Sequence, residues 1–239
     1  MNNFQRYTNV NSIWNSTVAV RLKSTINNKF QLLSRRKVSS LAYWEERSKQ
    51  YGRKSVLNLG HLKEEFETVT ENQKKILFPL FKQQLSGREK SILDFGCGPG
   101  RFTLDLAELI HGYAVGADPI KHLLDLAPGK EDACYIQIEE NNIPLGSDSV
   151  DIIWICLVLG GIINELVLEQ IIREIKRVVK NNGLIFMVEN TDESKNIQHW
   201  RYRSIKDYID LFPYAGLSHI DDYYDYGERI SIISGRVKK

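Results

Sequence analysis

The stretch Ser91-Ile92-Leu93-Asp94-Phe95-Gly96-Cys97-Gly98-Pro99-Gly100-Arg101-Phe102 leaves few choices for the fold around it. A short apolar run ends in an acid. Three glycines follow at alternate positions, and an amphipathic run then opens with Phe102, Leu104, Leu106, Ala107, Leu109 and Ile110. That order reads as a buried strand, a tight turn and a helix. Glycine suits such a turn because φ > 0 costs it little and because a side chain would hold a ligand off the backbone. The N–H groups that open the helix face the same ligand. The spacing departs from the dinucleotide pattern G-x-G-x-x-G. The third glycine comes one residue early, and Pro99 removes an amide donor. A pyrophosphate needs donors, so the turn is poorly suited to one. Asp94 puts a negative charge just before the turn, which suits a ligand with a cationic amine.

Read as a pattern, D-x-G-x-G-x-G resembles motif I of the class I S-adenosylmethionine-dependent methyltransferases. Their ligand carries an α-amino group and a sulfonium, and no phosphate. The resemblance implies S-adenosyl-L-methionine as the cofactor, with Asp94, Gly96, Cys97 and Gly98 at its binding turn. Tyr113 to Asp118 reads as a second strand ending in an acid, about twenty residues past the turn, where a ribose-binding carboxylate belongs. Asp118 is followed by Pro119, and a carboxylate there accepts from both ribose hydroxyls. NAD-binding folds share this feature. The segment from Glu139 through Pro144 to Asp151 resembles the family's G-D-A-x-x-L-P-F-x-D-x-S-F-D. This puts Glu139 where the adenine amino group is met and Glu140 where a backbone N–H meets a ring nitrogen, with Glu replacing the usual Asp. Tyr43, Trp44, Tyr51 and Gly52 resemble the Y-W-x-x-R-A-x-x-Y-G lead-in of small-molecule methyltransferases. In that group the segment lies over the cofactor, which makes Tyr51 a cofactor candidate, whereas Trp44 is expected simply to pack on the core.

The expected fold class is α/β: a Rossmann-like, seven-stranded, mostly parallel sheet with helices on both faces and a C-terminal antiparallel hairpin. Strands are expected at 91–95, 113–118, 133–138, 151–159 and 183–189, alternating with helices, which is the signature of a parallel sheet. Asp151 to Leu159 is nearly all apolar, as a strand buried on both faces should be, and its end at Cys156 falls at the mouth of the ligand crevice. Helices are expected over 41–51, from Glu64 to Leu85 with a kink or restart at Pro79, from Ile120 to Ala127, and from an Asn164 cap to Val179. Ser204 and Asp207 form a capping box for a helix through Phe212. Two alternating runs joined at Gly227 read as the hairpin.

Charge bears on partners. The net +2 over 239 residues gives no reason to invoke nucleic acid. No acid precedes Glu45, however, while Arg6, Arg21, Lys23, Lys29, Arg35, Arg36 and Lys37 are basic. Residues 1–40 therefore read as a basic extension beside a methyltransferase domain over 41–239. Three readings of that extension compete: a loosely ordered tail, a peripheral contact with an anionic membrane surface, and an organellar transit peptide. Cys97, Cys134 and Cys156 lie far apart with no metal-ligand spacing, so no metal is expected and a reducing, cytoplasmic setting is. Cys134 and Cys156 read as small core residues.

The sulfonium activates the methyl group by itself, so the protein has mainly to align a nucleophile. A hydroxyl acceptor also needs a base. Many relatives carry a histidine soon after the fourth strand, but here Gly160 and Gly161 follow Leu159. The remaining candidates are His199, Asp192, Glu189, Tyr202 and His61. His199 is preferred because it follows the fifth strand and its ordinary pKa suits the task. His61 is expected to be a solvated loop residue. Arg201 and Arg203 are candidates for an anionic substrate group. The expected activity is methyl transfer to a small-molecule or glycan hydroxyl. The competing readings are a non-catalytic cofactor-binding partner protein and an NAD-dependent oxidoreductase.

Overall fold

A computed structural model describes residues 40–239 apart from 59, 130, 140 and 193–195. The three readings of the basic extension therefore fall almost wholly outside the described residues, as does Glu140. Seven strands form one sheet: β1 (Ser91–Phe95), β2 (Tyr113–Asp118), β3 (Ala133–Gln137), β4 (Val150–Cys156), β5 (Val179–Asn190), β6 (Ser218–Asp225) and β7 (Glu228–Arg236). Their spatial order is β3-β2-β1-β4-β5-β7-β6. The first five are parallel, and β7 runs antiparallel to both β5 and β6. β1 and β4 lie at the centre. β1 is buried at every position, and the Ile152–Ile155 run of β4 is buried on both faces. The strand order reverses between these two, which is where an open α/β sheet leaves its ligand crevice.

Helices flank the sheet: α1 (Ser40–Tyr51), α2 (Phe66–Gln84), α3 (Thr103–Leu109), α4 (Lys121–Leu124), α5 (Glu165–Val178) and α6 (Ile205–Leu211), with short 3-10 turns at Gly52–Val56, Lys63–Glu65 and Leu159–Gly161. The Asn164 side chain caps α5 by accepting from the N–H groups of Leu166 and Val167. The apolar stripe of α5, including Leu168, Ile171 and Ile175, closes one face of the sheet together with Tyr208 and Phe212. Leu77 and Phe81 of α2 and Leu106 of α3 close the other face. There Trp154 stacks on Phe186 with ring centroids 4.9 Å apart and meets Phe81 edge-on at 5.2 Å. The expected capping box at Ser204 and Asp207 is formed.

Several local expectations are corrected. α2 does not restart at Pro79 and continues to Gln84. The carbonyl freed by the missing N–H belongs to Lys75, four residues back, and both residues are exposed, so water can satisfy it. Cys134 is exposed and is no core residue, because β3 is an edge strand with an uncovered flank. Cys156 is half-buried. β5 begins at Val179, earlier than its apolar stretch suggested, because Val179 pairs with Val150 before an irregularity in the ladder.

Candidate active site

The turn after β1 is a cradle of backbone. Gly96, Gly98 and Gly100 have φ of +71°, +54° and +70°. A Cβ on Gly96 would lie 2.4 Å from Val158 Cγ2, and one on Gly98 would lie 2.8 Å from Val56 Cγ1. The turn is fixed from beneath: the N–H groups of Gly96 and Cys97 donate to the Ala117 carbonyl at 2.7 and 3.2 Å. Gly96→Ala is therefore expected to cost about 1–3 kcal/mol through overpacking and backbone strain, measured by urea denaturation.

Two buried carboxylates flank the cradle. Asp94, 3% exposed, is the penultimate residue of β1. Its one hydrogen bond among the described residues comes from the Thr103 hydroxyl at 2.6 Å. Burial pushes its pKa up to about 7, with the charge of Asp118 adding to the rise and the Thr103 bond and Arg101 opposing it. Asp118 accepts from the N–H groups of Gly98 at 2.9 Å and Ile120 at 2.8 Å. Burial still holds it at about 6. A buried carboxylate with a single hydroxyl partner is suited to a cation arriving from outside. The residues present therefore fit the amino-acid end of S-adenosylmethionine, and Asp118 keeps lone pairs for ribose hydroxyls. The Cys97 thiol lies buried within the turn, and burial drives its pKa well up. Pro119 follows Asp118, and its carbonyl accepts from Gln137 Nε2 at 3.1 Å. Glu139 is exposed, and its backbone makes an isolated bridge with Asn142. Tyr51 is half-buried at the end of α1, with its hydroxyl pKa raised chiefly by burial.

The end of β4 forms the other wall. Cys156 ends the strand, its thiol pushed up to about 12 by burial. Leu157 follows with φ +58°, a strained conformation for a bulky residue. Gly160 and Gly161, which stand where the resemblance implies a histidine in many relatives, lie under aromatic rings. A Cβ on Gly160 would lie 2.3 Å from Trp200, and one on Gly161 would lie 3.1 Å from Trp44. Trp44, half-buried, thus belongs to an aromatic cluster over this turn and to neither core cluster, contrary to the expectation. His199 joins that cluster, stacked on Tyr43 with centroids 4.0 Å apart. Burial, aided by the Arg47 charge, lowers its pKa to about 4, so at neutral pH it is an uncharged imidazole able to accept a proton.

The other candidate bases and cations are placed differently. Glu189 accepts from the N–H groups of Val158, Leu159 and Gly160 at 2.9, 2.7 and 3.4 Å, which makes it the clamp of the turn. The Tyr202 hydroxyl is pushed up to about 12 by burial. His61 is not the solvated histidine expected: Nε2 lies 2.9 Å from Asp225 Oδ1, and its ring meets Tyr226 edge-on. Arg203 is buried and donates to the Leu159 carbonyl at 3.0 Å, to the Ile162 carbonyl and to Glu165, so its guanidinium is committed to holding the loop. Arg201 is 43% exposed, 3.8 Å from Glu165, and remains the more accessible of the two for an acceptor. Thr103 and Val56 were not singled out from the sequence. A hydroxyl opening the helix after the glycines was the signal available for Thr103.

A seven-stranded sheet with this strand order, and a glycine cradle between two buried acids at the switch point, define the class I S-adenosylmethionine-dependent methyltransferases. Residues 93–187 match the methyltransferase domain family. It is 31% identical over 143 residues to the demethylmenaquinone methyltransferase of Lactobacillus johnsonii, covering 55% of this chain and 56% of that protein. It is 28% identical over 161 residues to the malonyl-[acyl-carrier protein] O-methyltransferase of Legionella pneumophila, covering 62% and 56%. The chain thus spans a little over half the length of these curated relatives. Among solved structures, an S-adenosylmethionine-dependent methyltransferase of Leishmania major superposes with a TM-score of 0.60 at 20% identity, covering 82% of this chain and 80% of that one. The YcgJ protein of Bacillus subtilis gives 0.59 at 16% identity, covering 69% and 99%. These likenesses establish the fold.

Proposed function

We propose that the chain transfers a methyl group from S-adenosylmethionine to an oxygen of a small-molecule acceptor, with glycan hydroxyls among the candidates, by in-line displacement. The observation that carries this reading is Asp94, a buried carboxylate beside a glycine-rich turn and without a cationic partner in hydrogen-bond contact. The cofactor supplies an already activated methyl group. The protein's part is to hold the amine at Asp94, keep water from the cradle and present the acceptor at the end of β4. Tyr43, Trp44, His199 and Trp200 make that end aromatic and largely apolar. Neutral His199 is the group proposed to take the acceptor's proton. Of the relatives, the Legionella protein is named as an O-methyltransferase and the Lactobacillus protein for demethylmenaquinone, which supports a small or carrier-held acceptor. A cytoplasmic setting belongs to the same proposal, supported by three free cysteines. Membrane contact through the basic, acid-free N-terminal residues belongs to it as well.

Incubation with methyl-labelled cofactor and a panel of sugars, phenols and carboxylates tests the reading. Label should appear in at least one oxygen-methylated product, and a panel methylated only on nitrogen or carbon would refute it. His199→Ala should lower kcat about tenfold, below the usual range for acid–base catalysis because a base near 4 lies far below the operating pH. Binding of S-adenosylhomocysteine should be unchanged in that variant.

A further inference from the structure

Three large apolar side chains that the core does not claim surround one turn. Leu41 of α1 is 45% exposed, Leu166 of α5 is 74% exposed and Ile197 is 48% exposed. The stripe of α5 turns Leu168, Ile171 and Ile175 inward and leaves Leu166 outside it. Each of the three is tied to the bend that follows β4. Ser40, the neighbour of Leu41, donates its hydroxyl to the Gly161 carbonyl. The N–H of Leu166 donates at 3.0 Å to the side chain of Asn164, which follows Gly161 closely in the chain. Ile197 exchanges backbone hydrogen bonds with Trp200 at 3.1 and 3.3 Å, and the Trp200 ring lies over Gly160. The next residue, Arg201, donates its N–H to the Gly160 carbonyl at 2.7 Å. The three therefore form a rim around the acceptor end of the site. Single exposed apolar residues are ordinary, but several gathered around a ligand crevice mark a contact surface.

Charge says what this rim meets. Glu165, beside Leu166, lies 3.1 Å from Arg203 and 3.8 Å from Arg201, so two guanidiniums outweigh its carboxylate. Arg35, Arg36 and Lys37 come directly before Ser40 in the sequence, with Arg6, Arg21, Lys23 and Lys29 further back and no acid among residues 1–39. Glu45 and Glu46, the first acids of the chain, come a turn later in α1. Apolar side chains next to an excess of Lys and Arg are the pair of signals that holds a protein on an anionic bilayer, where either signal alone is marginal. We propose that the rim of Leu41, Leu166 and Ile197 seats on an anionic lipid bilayer and turns the acceptor end of the site toward it, while the basic residues before Ser40 supply the electrostatic attraction. This narrows the acceptor to a molecule carried in or on that bilayer. The proposal deepens the membrane contact read above from the basic residues alone, and it rests on that reading.

Co-sedimentation of the full chain with vesicles tests it, using phosphatidylcholine alone and phosphatidylcholine mixed with phosphatidylglycerol. The variants are Leu166→Glu, Ile197→Glu and, as a control for added charge, Ile76→Glu, which alters an exposed residue of α2 on the opposite face of the sheet from α5. All three sites are exposed, so each variant should keep the wild-type circular dichroism. The wild type should bind the mixed vesicles, prefer them to phosphatidylcholine and release them as salt rises. L166E and I197E should each lower the partition coefficient about 50-fold, combining the loss of one large aliphatic side chain from lipid with one repelled charge. I76E should stay within about threefold of the wild type, since a charge held off the surface is screened. A wild type that binds them while L166E and I197E bind no worse than I76E overturns the rim's part and leaves the basic residues to bind alone. Equal binding to both lipids overturns the anionic partner. A wild type that is dimeric in solution, with L166E or I197E monomeric, also overturns the proposal and assigns the rim to a second copy of the chain. A wild type that ignores the mixed vesicles fails the membrane contact itself, a result distinct from the others.

Discussion

Asp94→Asn is expected to lower the affinity for S-adenosylhomocysteine about 100-fold, or about 2.7 kcal/mol, the upper range for losing one charged hydrogen bond in a buried site. The substitution is nearly isosteric, and Asn can still accept from the Thr103 hydroxyl, which lies 2.6 Å from the Asp94 carboxylate. What disappears is the negative charge that meets the amine. Titration calorimetry measures the loss directly, and a loss below about threefold would mean that the amine is held elsewhere.

The same residue fixes the pH dependence. In the free chain Asp94 is raised to about 7, mainly by burial. The ligand amine is cationic until well above neutrality, so binding needs Asp94 ionised and the amine protonated. Affinity should be flat just above pH 7 and should fall as pH drops below it, approaching about tenfold per unit. In D94N that slope should vanish. The effect on stability has the opposite sense. A carboxyl whose folded pKa lies above its unfolded value of 3.8 makes the free chain less stable as pH rises from about 4 to about 7. The cofactor-free D94N chain should therefore melt higher than the wild type at pH 7.5 and lower in the cofactor's presence. The site holds a destabilised acid that the ligand's amine relieves.

The scaffold was legible because its signals are local. A continuous apolar run identifies β4, an Asn cap starts α5, and alternation with a glycine joint marks the β6–β7 hairpin. The glycine cradle was legible too, since strand, turn and helix follow within one dozen residues. The long-range partners were not. Glu189 was read as a possible base, and only the fold brings it beneath Val158, Leu159 and Gly160. Arg203 was read as a substrate group, and only the fold aims it at the Leu159 and Ile162 carbonyls, 44 and 41 residues away in the chain. His199 was preferred for its ordinary pKa, and burial against Tyr43 changes that value. Periodicity reveals which face of an element is buried. It carries no information on which side chain from a distant element will arrive there.

Glu189→Ala is expected to cost about 3–5 kcal/mol, the range for removing one member of a buried charged network, as measured by urea unfolding. The side chain is completely buried. Oε1 takes the N–H groups of Val158 and Leu159, while Oε2 takes that of Gly160 and the Tyr208 hydroxyl, the last at 3.4 Å. Alanine leaves these donors dry and unpartnered. The clamp also holds the bend that begins with Leu157 at φ +58°, a conformation that persists only where its surroundings impose it. Burial raises Glu189 to about 7 despite its amide donors, so its contribution to stability declines as pH climbs from about 4.5 to about 7. The margin of the wild type over Glu189→Gln should narrow across that interval, because the amide does not titrate. Val158 sits on Gly96, so loosening the bend reaches the cofactor cradle without any contact between Glu189 and the ligand. E189A should therefore bind S-adenosylhomocysteine more weakly even where it remains folded. A fully folded variant with wild-type affinity would show that the bend after β4 holds itself.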